Sequence, residues 1–502
     1  MKRPFNAAPA ATSDLATNTL GVGGVVFLVL AAVAPLTGIV VIATLGIALG
    51  NGGGMPAAFI VTTVILLLFA VGYAQMSKKL VSAGGFYAVV VKGLGRPMGV
   101  AAGFTAMLGY NCFVAGALGV GGFFASTIIE TLTGLSLPWF VWSMIVVVLI
   151  FVFTRRGIGF SARLLGVCLV LEVSILILLD LRILAATGYS MEAFAPQTVT
   201  TGSVGIALLF AANAFVGFEA TGLFAEEAKD PRRTIPRATY IAITFIGVFA
   251  AVTTWAIVSA LGVAQAQSAA IEHLPTGDLV FMLSEQYLGT FLTNTMMVLL
   301  LVSLFAAILA LHNSATRYIY AHARVGILPS VLARTRNSNG CPQNASLAQL
   351  SFGLAVAAIY FALGLDPMTS LTPSMTGFGT LAILTLQALA AAAITVYFTR
   401  TRDPRVVRAI LAPAAGSLGL ATVVTLAIVN FSVLAGSEDP VIGRLPWLLA
   451  LCLVSGVATA FWLKARRPTV YANLRDDMER YDLRHGDTAA VPTTVPTTTP
   501  LQ

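Results

Sequence analysis

The chain has 502 residues, of which 57% are hydrophobic and only 10% are charged. Soluble domains carry about a quarter charged residues, so a water-soluble fold is excluded by the excess of apolar side chains. The formal net charge of +8 would suit a nucleic-acid partner, but the basic residues are confined to segments between long apolar runs. We therefore predict an all-α membrane protein that binds lipid and no nucleic acid.

Residues 1–19 are polar after a basic start, and we interpret them as a cytoplasmic N-terminal tail. The first apolar run, residues 20–49, is too long for a signal-peptide core and lacks a cleavage-like flank, which predicts a membrane helix. Proline and glycine in the middle of this run predict a break, because proline removes a backbone donor. The predicted break comprises Ala34, Pro35, Leu36, Thr37 and Gly38.

Further apolar segments follow at short intervals, and none shows the alternation of a membrane β-strand. The sequence predicts twelve transmembrane spans, at residues 20–49, 55–75, 98–128, 138–154, 161–186, 204–225, 237–264, 288–315, 346–365, 371–398, 408–434 and 445–464.

The sixth span contains a second predicted break, where a glycine and a carboxylate stand inside an apolar run. It comprises Asn213, Phe215, Val216, Gly217, Phe218 and Glu219. The two breaks are five spans apart, and an odd number gives a repeat of inverted topology. We therefore predict a first repeat at residues 20–203 and an inverted second repeat at 204–400. Two peripheral spans follow at 401–465.

A broken helix exposes backbone N–H groups at the start of one half and C=O groups at the end of the other. The first kind of end suits a carboxylate and the second suits an ammonium group. Two breaks side by side thus predict a site for a zwitterion. We predict that this site is lined by Ala34, Pro35, Leu36, Thr37, Gly38, Asn213, Phe215, Val216, Gly217 and Phe218, together with Tyr110 and Asn111 of the third span.

The basic residues predict the orientation. With the N-terminus in the cytoplasm, every Lys and Arg except Arg182 and Arg444 lies on the cytoplasmic side. This asymmetry predicts an even number of spans in the plasma (bacterial inner) membrane, with both termini cytoplasmic. Residues 466–502 change from a charged stretch to a Thr/Pro-rich end, and we interpret them as a partly disordered tail. The four cysteines and four histidines are dispersed, which predicts no metal, cofactor or enzymatic activity.

Several loop motifs support a family resemblance. They are Ser82-Ala83-Gly84-Gly85-Phe86-Tyr87, Arg156-Gly157-Ile158, residues 215–238 and residues 312–329. On these motifs the chain resembles the amino acid–polyamine–organocation permeases. Its variant of the break in the first span, Ala34-Pro35-Leu36-Thr37-Gly38, resembles their putrescine-importer-like branch. The resemblance implies the leucine-transporter fold, with discontinuous spans 1 and 6. It also implies a mobile bundle of spans 1, 2, 6 and 7 against a scaffold of spans 3, 4, 8 and 9.

One departure from the family concerns the fifth span. Many members carry a lysine eleven residues after the serine that corresponds to Ser161, and here that position is Glu172. We predict that Glu172 and Glu219 couple transport to protons, with a structural role as the alternative for each. A third possible role for Glu219 is to bind the ammonium group of a substrate. Asp180, near the outer end of the same span, is expected to reach the membrane interface.

Together these features predict a secondary active transporter of an amino acid or related amine. It would work by alternating access, coupled to H⁺ or Na⁺ or exchanging substrates. The alternatives are a polyamine importer and a non-transporting amino acid sensor of the same fold. Two broken helices around one site argue against a continuous channel.

Overall fold

The structure is a computed structural model that describes residues 20–82, 84–156, 158–225, 228–335, 341–434 and 443–476. These residues form helices joined by short turns, and the β contact among them is an isolated bridge between Leu20 and Ala228. The predicted N-terminal tail and residues 477–502 of the predicted C-terminal tail lie outside the described residues. The same holds for Ala83, Gly157, Glu226 and Glu227 of the family motifs.

The first half of the chain contains long helices together with shorter helical pieces on either side of the two breaks. In chain order they are α1 (Val22–Val33), α2 (Met55–Met76), α3 (Gly85–Leu94), α4 (Arg96–Thr133), α5 (Trp139–Arg156), α6 (Ile158–Thr187), α7 (Val204–Asn213) and α8 (Ala220–Leu223).

The second half begins with a long helix and two shorter ones before the chain crosses again. The helices are α9 (Pro231–Leu261), α10 (Ala266–Glu272), α11 (Leu279–Leu288), α12 (Thr290–Arg324), α13 (Gln343–Ala362), α14 (Thr372–Arg400), α15 (Ala412–Val429), α16 (Leu445–Arg466) and α17 (Pro468–Asp476). Short π-helical turns at Pro367–Leu371 and Val407–Leu411 precede α14 and α15.

Eight helical segments of the described chain are long and apolar enough to cross a membrane. This confirms the predicted all-α membrane architecture. Breaks and joins prevent a direct count of spans from helix length, because α7 and α8 are too short individually. The number twelve and the inverted repeat therefore stay predictions.

The first break lies where the proline predicts it. Helix α1 ends at Ala34, whose backbone is left-handed with φ 51° and ψ 78°. The chain then resumes a helix at Pro35–Thr37 and continues through a π-helical segment, Gly38–Ala43. A proline is favourable at the first position of a helix because its missing N–H would have no partner there. The left-handed alanine costs about 1–2 kcal/mol, so the surrounding packing must stabilise it.

The second break is longer. Helix α7 ends at Asn213, and a series of turns leads to α8 at Ala220. Within the turns Gly217 adopts φ +119°, a conformation that L side chains rarely take. A Cβ at this position would also lie 3.3 Å from the Cβ of Ala32 in α1. Glycine therefore allows both the turn and the close approach of the two broken helices.

Helices α4 and α14 form a tightly packed pair in the centre of the molecule. A Cβ added at Gly379 of α14 would lie 2.8 Å from the backbone nitrogen of Phe113 in α4. A Cβ added at Gly109 would lie 2.9 Å from that of Ala382. Small residues at such contacts let helix backbones approach closely.

Candidate substrate site between two broken helices

A small cavity of about 40 Å³ lies between the two breaks. Thr37 and Gly38 contribute to it from the first break, and Asn213, Ala214 and Val216 contribute from the second. Since one water needs roughly 10–15 Å³ by this measure, the space holds only a few waters. The conformation is thus closed around the site, and an amino acid would require it to expand.

The rest of the lining is mainly aliphatic. It comes from the first broken helix, α4, α12 and α14, and it includes Ala32, Val33, Val41, Ile42, Phe113, Ala117, Val120, Leu304, Ala307, Ile308, Leu311, Thr372 and Thr376. No Asp, Glu, Lys or Arg is among the described residues that line the cavity. Such a wall suits an apolar side chain, while the backbone and amide groups at the breaks provide the polar contacts.

Asn213 is the polar side chain with most capacity left for a ligand. It is 3% exposed, and neither its Oδ1 nor its Nδ2 has a hydrogen-bond partner among the described residues. A buried amide without partners costs about 1–3 kcal/mol, which a bound ligand or water would recover. Because Asn213 also lines the cavity, its amide can donate to a carboxylate or accept from an ammonium group.

Glu172 on α6 lies close to the first break. Its carboxylate is a neighbour of the backbone amide of Leu36, at the start of the resumed helix. Its Oε2 accepts a 2.7 Å hydrogen bond from the Ser303 hydroxyl of α12. Thr37 in turn donates a 3.1 Å hydrogen bond to Ser303. The chain Thr37–Ser303–Glu172 therefore joins the cavity wall to a buried carboxylate.

Glu219 plays the corresponding part at the second break. Its Oε1 accepts a 2.5 Å hydrogen bond from the Tyr110 hydroxyl of α4. Its Oε2 accepts a 3.0 Å hydrogen bond from the backbone N–H of Gly217. The ring of Tyr110 stacks on Tyr318 of α12 with centroids 5.4 Å apart. Each break thus has a buried carboxylate beside one of its backbone amides.

The predicted site residues separate into two sets. Thr37, Gly38, Asn213 and Val216 lie on the cavity wall. The others belong to its surroundings: Ala34, Pro35 and Leu36 form the first break itself, and Tyr110 and Gly217 bind Glu219. Asn111 donates to the carbonyl of Met107 at 2.7 Å. Phe215 and Phe218 are buried away from the cavity wall.

Phe218 packs in an aromatic cluster formed with Phe69, Tyr73 and Phe86. Its ring lies 6.3 Å from those of Phe69 and Phe86, and Tyr73 lies 5.1 Å from Phe86. The cluster joins α2 and α3 to the second break. Sequence reasoning missed this cluster, as well as the aliphatic wall, because neither differs in composition from a lipid-facing helix.

The expectation for Asp180 is wrong. Its side chain is buried, and its Oδ2 accepts a 2.7 Å hydrogen bond from Thr253 of α9. The structure therefore places this carboxylate against a neighbouring helix, with its Oδ1 unpartnered among the described residues, instead of at the membrane interface.

Metal ligands are sparse in the described ranges, where no group of three or more His, Cys, Asp or Glu could hold an ion. The oxygens of Glu172, Ser303 and Thr37 form a hydrogen-bonded chain, and hydroxyl and carboxylate oxygens are ligands of hard cations.

Comparison with known proteins identifies a family of transporters. The family model for amino acid permeases matches residues 25–470. The branched-chain amino acid permease BcaP of Bacillus subtilis (strain 168) is 24% identical over 82% of this chain and 87% of that protein. BcaP of Lactococcus lactis subsp. cremoris (strain MG1363) is 25% identical over 62% of this chain and 69% of that protein. A methylthioribose transporter of Bacillus subtilis is 24% identical over 70% of this chain and 76% of that protein.

Among solved structures, the manganese transporter of Eremococcus coleocola is similar in fold. A mutant of that transporter superposes with a TM-score of 0.57 at 13% identity, covering 88% of this chain and 94% of that chain. The same transporter with an aromatic bis-isothiourea compound gives a TM-score of 0.56, covering 91% of this chain and 98% of that chain. At this identity the likeness concerns the fold alone.

Proposed function

This chain belongs to the amino acid permease family, and we propose that it carries a small aliphatic amino acid across the plasma membrane by alternating access. Membership confirms the resemblance predicted from the loop motifs, and it makes the chain a multi-pass transporter of amino acids and not an enzyme. The observation that carries the finer proposal is the cavity between the two breaks, with the unpartnered amide of Asn213 in an aliphatic wall.

The chemistry of the cavity supports this substrate class. The breaks and Asn213 offer polar groups for the amino and carboxyl groups that all amino acids share. The side chain would face Val120, Ile308 and their aliphatic neighbours, which reject charge and reward branched or small apolar groups. The two relatives named as branched-chain amino acid permeases support the same class.

The polyamine alternative fits the site less well. A diamine carries a second ammonium group, which needs a carboxylate or several carbonyls when it is buried. The described lining residues include no acid, and Glu172 and Glu219 already bind backbone amides and hydroxyls. A sensor of the same fold would bind the amino acid without net uptake, so uptake experiments separate the two.

The proposed transport cycle rests on an arrangement of twelve spans in a 5+5 inverted repeat. The breaks after α1 and α7 lie at corresponding places in residues 20–203 and 204–400, which supports this arrangement. Spans 1, 2, 6 and 7 would move as a bundle against spans 3, 4, 8 and 9. The closed cavity would then open to one side at a time.

For coupling we propose Glu172 as the ion-binding residue. It contacts the first break on one side and α12 on the other, two elements that would separate during the cycle. A proton on this carboxylate, or a cation beside it, would change these contacts and thereby bias one conformation. Glu219 is the second candidate, and its contacts with Tyr110 and Gly217 suit a role in positioning the second break.

The experiment is uptake into proteoliposomes that contain the purified chain. Labelled leucine, alanine, arginine and putrescine would be supplied with imposed pH or Na⁺ gradients, and with unlabelled substrate inside for counterflow. We expect the uptake of the aliphatic amino acids to saturate. Unlabelled substrate on the opposite side of the membrane should stimulate this uptake. Binding without uptake would identify a sensor. Uptake that does not saturate would identify a channel, and a preference for putrescine would identify a polyamine importer.

A further inference from the structure

A second and larger cavity lies away from the substrate site. Its volume is about 410 Å³, within the range of small-molecule sites. It is enclosed by the end of α3, the start of α4, the end of α14 and the first turn of α17, which contribute Lys92, Arg96, Arg400 and Tyr471. Because α14 ends and α4 begins here, the cavity opens at the membrane boundary on the side that we assign to the cytoplasm.

The described residues that line this cavity carry charge of one sign. Three cationic side chains line it, and the described lining residues include no Asp or Glu. Helix α4 also begins here without a side-chain cap, so the positive end of a 38-residue helix adds to the same field. An anion would therefore be attracted by side chains and backbone together.

The two arginines are held by neutral groups. Arg96 donates a 3.3 Å hydrogen bond to the carbonyl of Ala472 and stacks over Tyr471, with its Cζ 5.0 Å from the ring centroid. Arg400 donates a 3.5 Å hydrogen bond to the carbonyl of Gly93. Neither forms an ion pair within the part of the chain that the structure describes. Guanidinium groups held in this way remain available to bind a phosphate in a bidentate manner.

The cavity also joins elements that are far apart in sequence. The helix α17 is anchored by Leu474, which is buried against Val100 of α4 and Ala460 of α16. Helix α3 contacts α14 so closely that a Cβ at Gly93 would collide with the carbonyl oxygen of Ala393. A ligand that bridges the three cations would therefore link α3, α4 and α14 beneath α17.

We propose that this cavity is a binding site for a phosphate-bearing anion, separate from the substrate site, with Lys92, Arg96 and Arg400 as its ligands. Its position at the membrane boundary favours the headgroup of an anionic phospholipid of the cytoplasmic leaflet, since basic pockets between helices on that side bind such headgroups. A soluble phosphate compound has the same chemistry, and the test distinguishes the two sources. The proposal concerns binding and stability, so it does not depend on the transported substrate.

The test uses thermal unfolding of the purified full-length chain in a neutral detergent. The probes are short-chain phosphatidylglycerol, short-chain phosphatidylcholine as the zwitterionic reference, inorganic phosphate, and ATP, each titrated at constant ionic strength. The variants are Arg400→Gln, which leaves α17 untouched, and the double variant Arg96→Gln/Arg400→Gln. The matched control is Lys464→Gln/Arg466→Gln, which removes the same charge from exposed positions on α16 outside the cavity.

We expect phosphatidylglycerol to raise the unfolding midpoint of the parent and of the control by several degrees more than phosphatidylcholine does. In Arg400→Gln the apparent Kd should be at least tenfold weaker, and in the double variant the shift should be lost. If phosphate or ATP raises the unfolding midpoint but phosphatidylglycerol does not, and the same variants lose this effect, the site is supported with a soluble ligand. No shift with any phosphate-bearing probe, or equal shifts in the parent and the double variant, would overturn the proposal.

Discussion

The hydroxyl of Ser303 on α12 donates a 2.7 Å hydrogen bond to Glu172 on α6, across 131 residues of sequence. Through this bond a buried acid contacts the helix that forms one wall of the cavity. The same carboxylate lies beside the Leu36 amide at the first break. Any change in its protonation or ion binding therefore acts at the junction of two elements that the transport cycle would separate.

The first prediction concerns Glu172→Gln. Glutamine keeps an acceptor for Ser303 and Leu36 but does not exchange a proton in the physiological range. We expect accumulation driven by a pH gradient to fall to background, while substrate counterflow continues within about twofold of the parent. The measurement is proteoliposome uptake at fixed membrane potential. Asp180→Asn is the matched control, because it alters a buried acid of the same helix that binds a threonine hydroxyl. If Glu172→Gln accumulates substrate in response to the pH gradient as well as the control and the parent do, Glu172 has a structural role only.

The second prediction concerns Asn213→Leu. Removal of the amide eliminates hydrogen bonds to the substrate, worth about 1.5–3 kcal/mol when the partner is charged. We expect the apparent affinity to weaken about tenfold to a hundredfold, with an unchanged or higher unfolding midpoint because an unpartnered amide is also removed. Asn111→Leu serves as the comparison, since that buried amide binds a carbonyl of its own helix outside the cavity wall. If Asn111→Leu harms affinity as much as Asn213→Leu, the site is misplaced.

The third prediction concerns Gly38→Val. Gly38 has an ordinary helical backbone, and the nearest atom to an added Cβ is the Cβ of Ala214 at 4.0 Å. Valine therefore fits the backbone, and its side chain occupies the cavity. We expect expression and unfolding midpoint close to those of the parent, but uptake below about a tenth. Gly23→Val, on the same broken helix with no atom within 4 Å, should retain uptake. Normal uptake of leucine by Gly38→Val would contradict the assignment.

The fourth prediction concerns Tyr110→Phe. The variant keeps the stack on Tyr318 but loses the hydrogen bond to Glu219, which should reduce the free energy of unfolding by about 1–3 kcal/mol. Because Glu219 also binds Gly217, we expect slower transport with a smaller change in substrate affinity. Thermal unfolding and initial uptake rates would be measured beside Tyr318→Phe, which alters the other ring of the stack. Full stability and rate in Tyr110→Phe would exclude a role for this bond in the second break.

The fifth prediction concerns orientation. Fusions of a fluorescent protein and of a periplasmic phosphatase to the C-terminus should give fluorescence and no phosphatase activity, because the basic loops and tail are assigned to the cytoplasm. A phosphatase fused after Leu135, between α4 and α5, should be active. The reverse pattern would contradict the distribution of Lys and Arg.

The positions of most long helices and of both breaks were predictable because their causes are local, whereas the shorter helices α3, α10 and α11 were not predicted. Pro35 removes a donor, and Gly217 permits a backbone that other residues avoid. Thr37, Gly38, Asn213 and Val216 lie on the cavity wall because they are next to those breaks. These features depend on residues that are neighbours in sequence.

The aliphatic wall and the partners of the buried acids could not be predicted in the same way. Ile308 and Val120 resemble lipid-facing residues in every local respect, and only the packing of α4 and α12 gives them a cavity to line. The pairing of Glu172 with Ser303, like that of Asp180 with Thr253, depends on helices far apart in the chain. Asp180 was misjudged because burial by a neighbouring helix has no local signature.

The short pairing before α1 has a mechanical consequence. Lys229 donates a 2.9 Å backbone hydrogen bond to the carbonyl of Leu20, beside the bridge to Ala228. The chain that enters the first broken helix is thus tied to the chain that leaves the second. If the linked ends of these two helices move outward to release a substrate, they must move together, or the hydrogen bond between Lys229 and Leu20 must break first. If the two ends move together, time-resolved distance measurements at Leu20 and at Lys229 would give the same rate during substrate release.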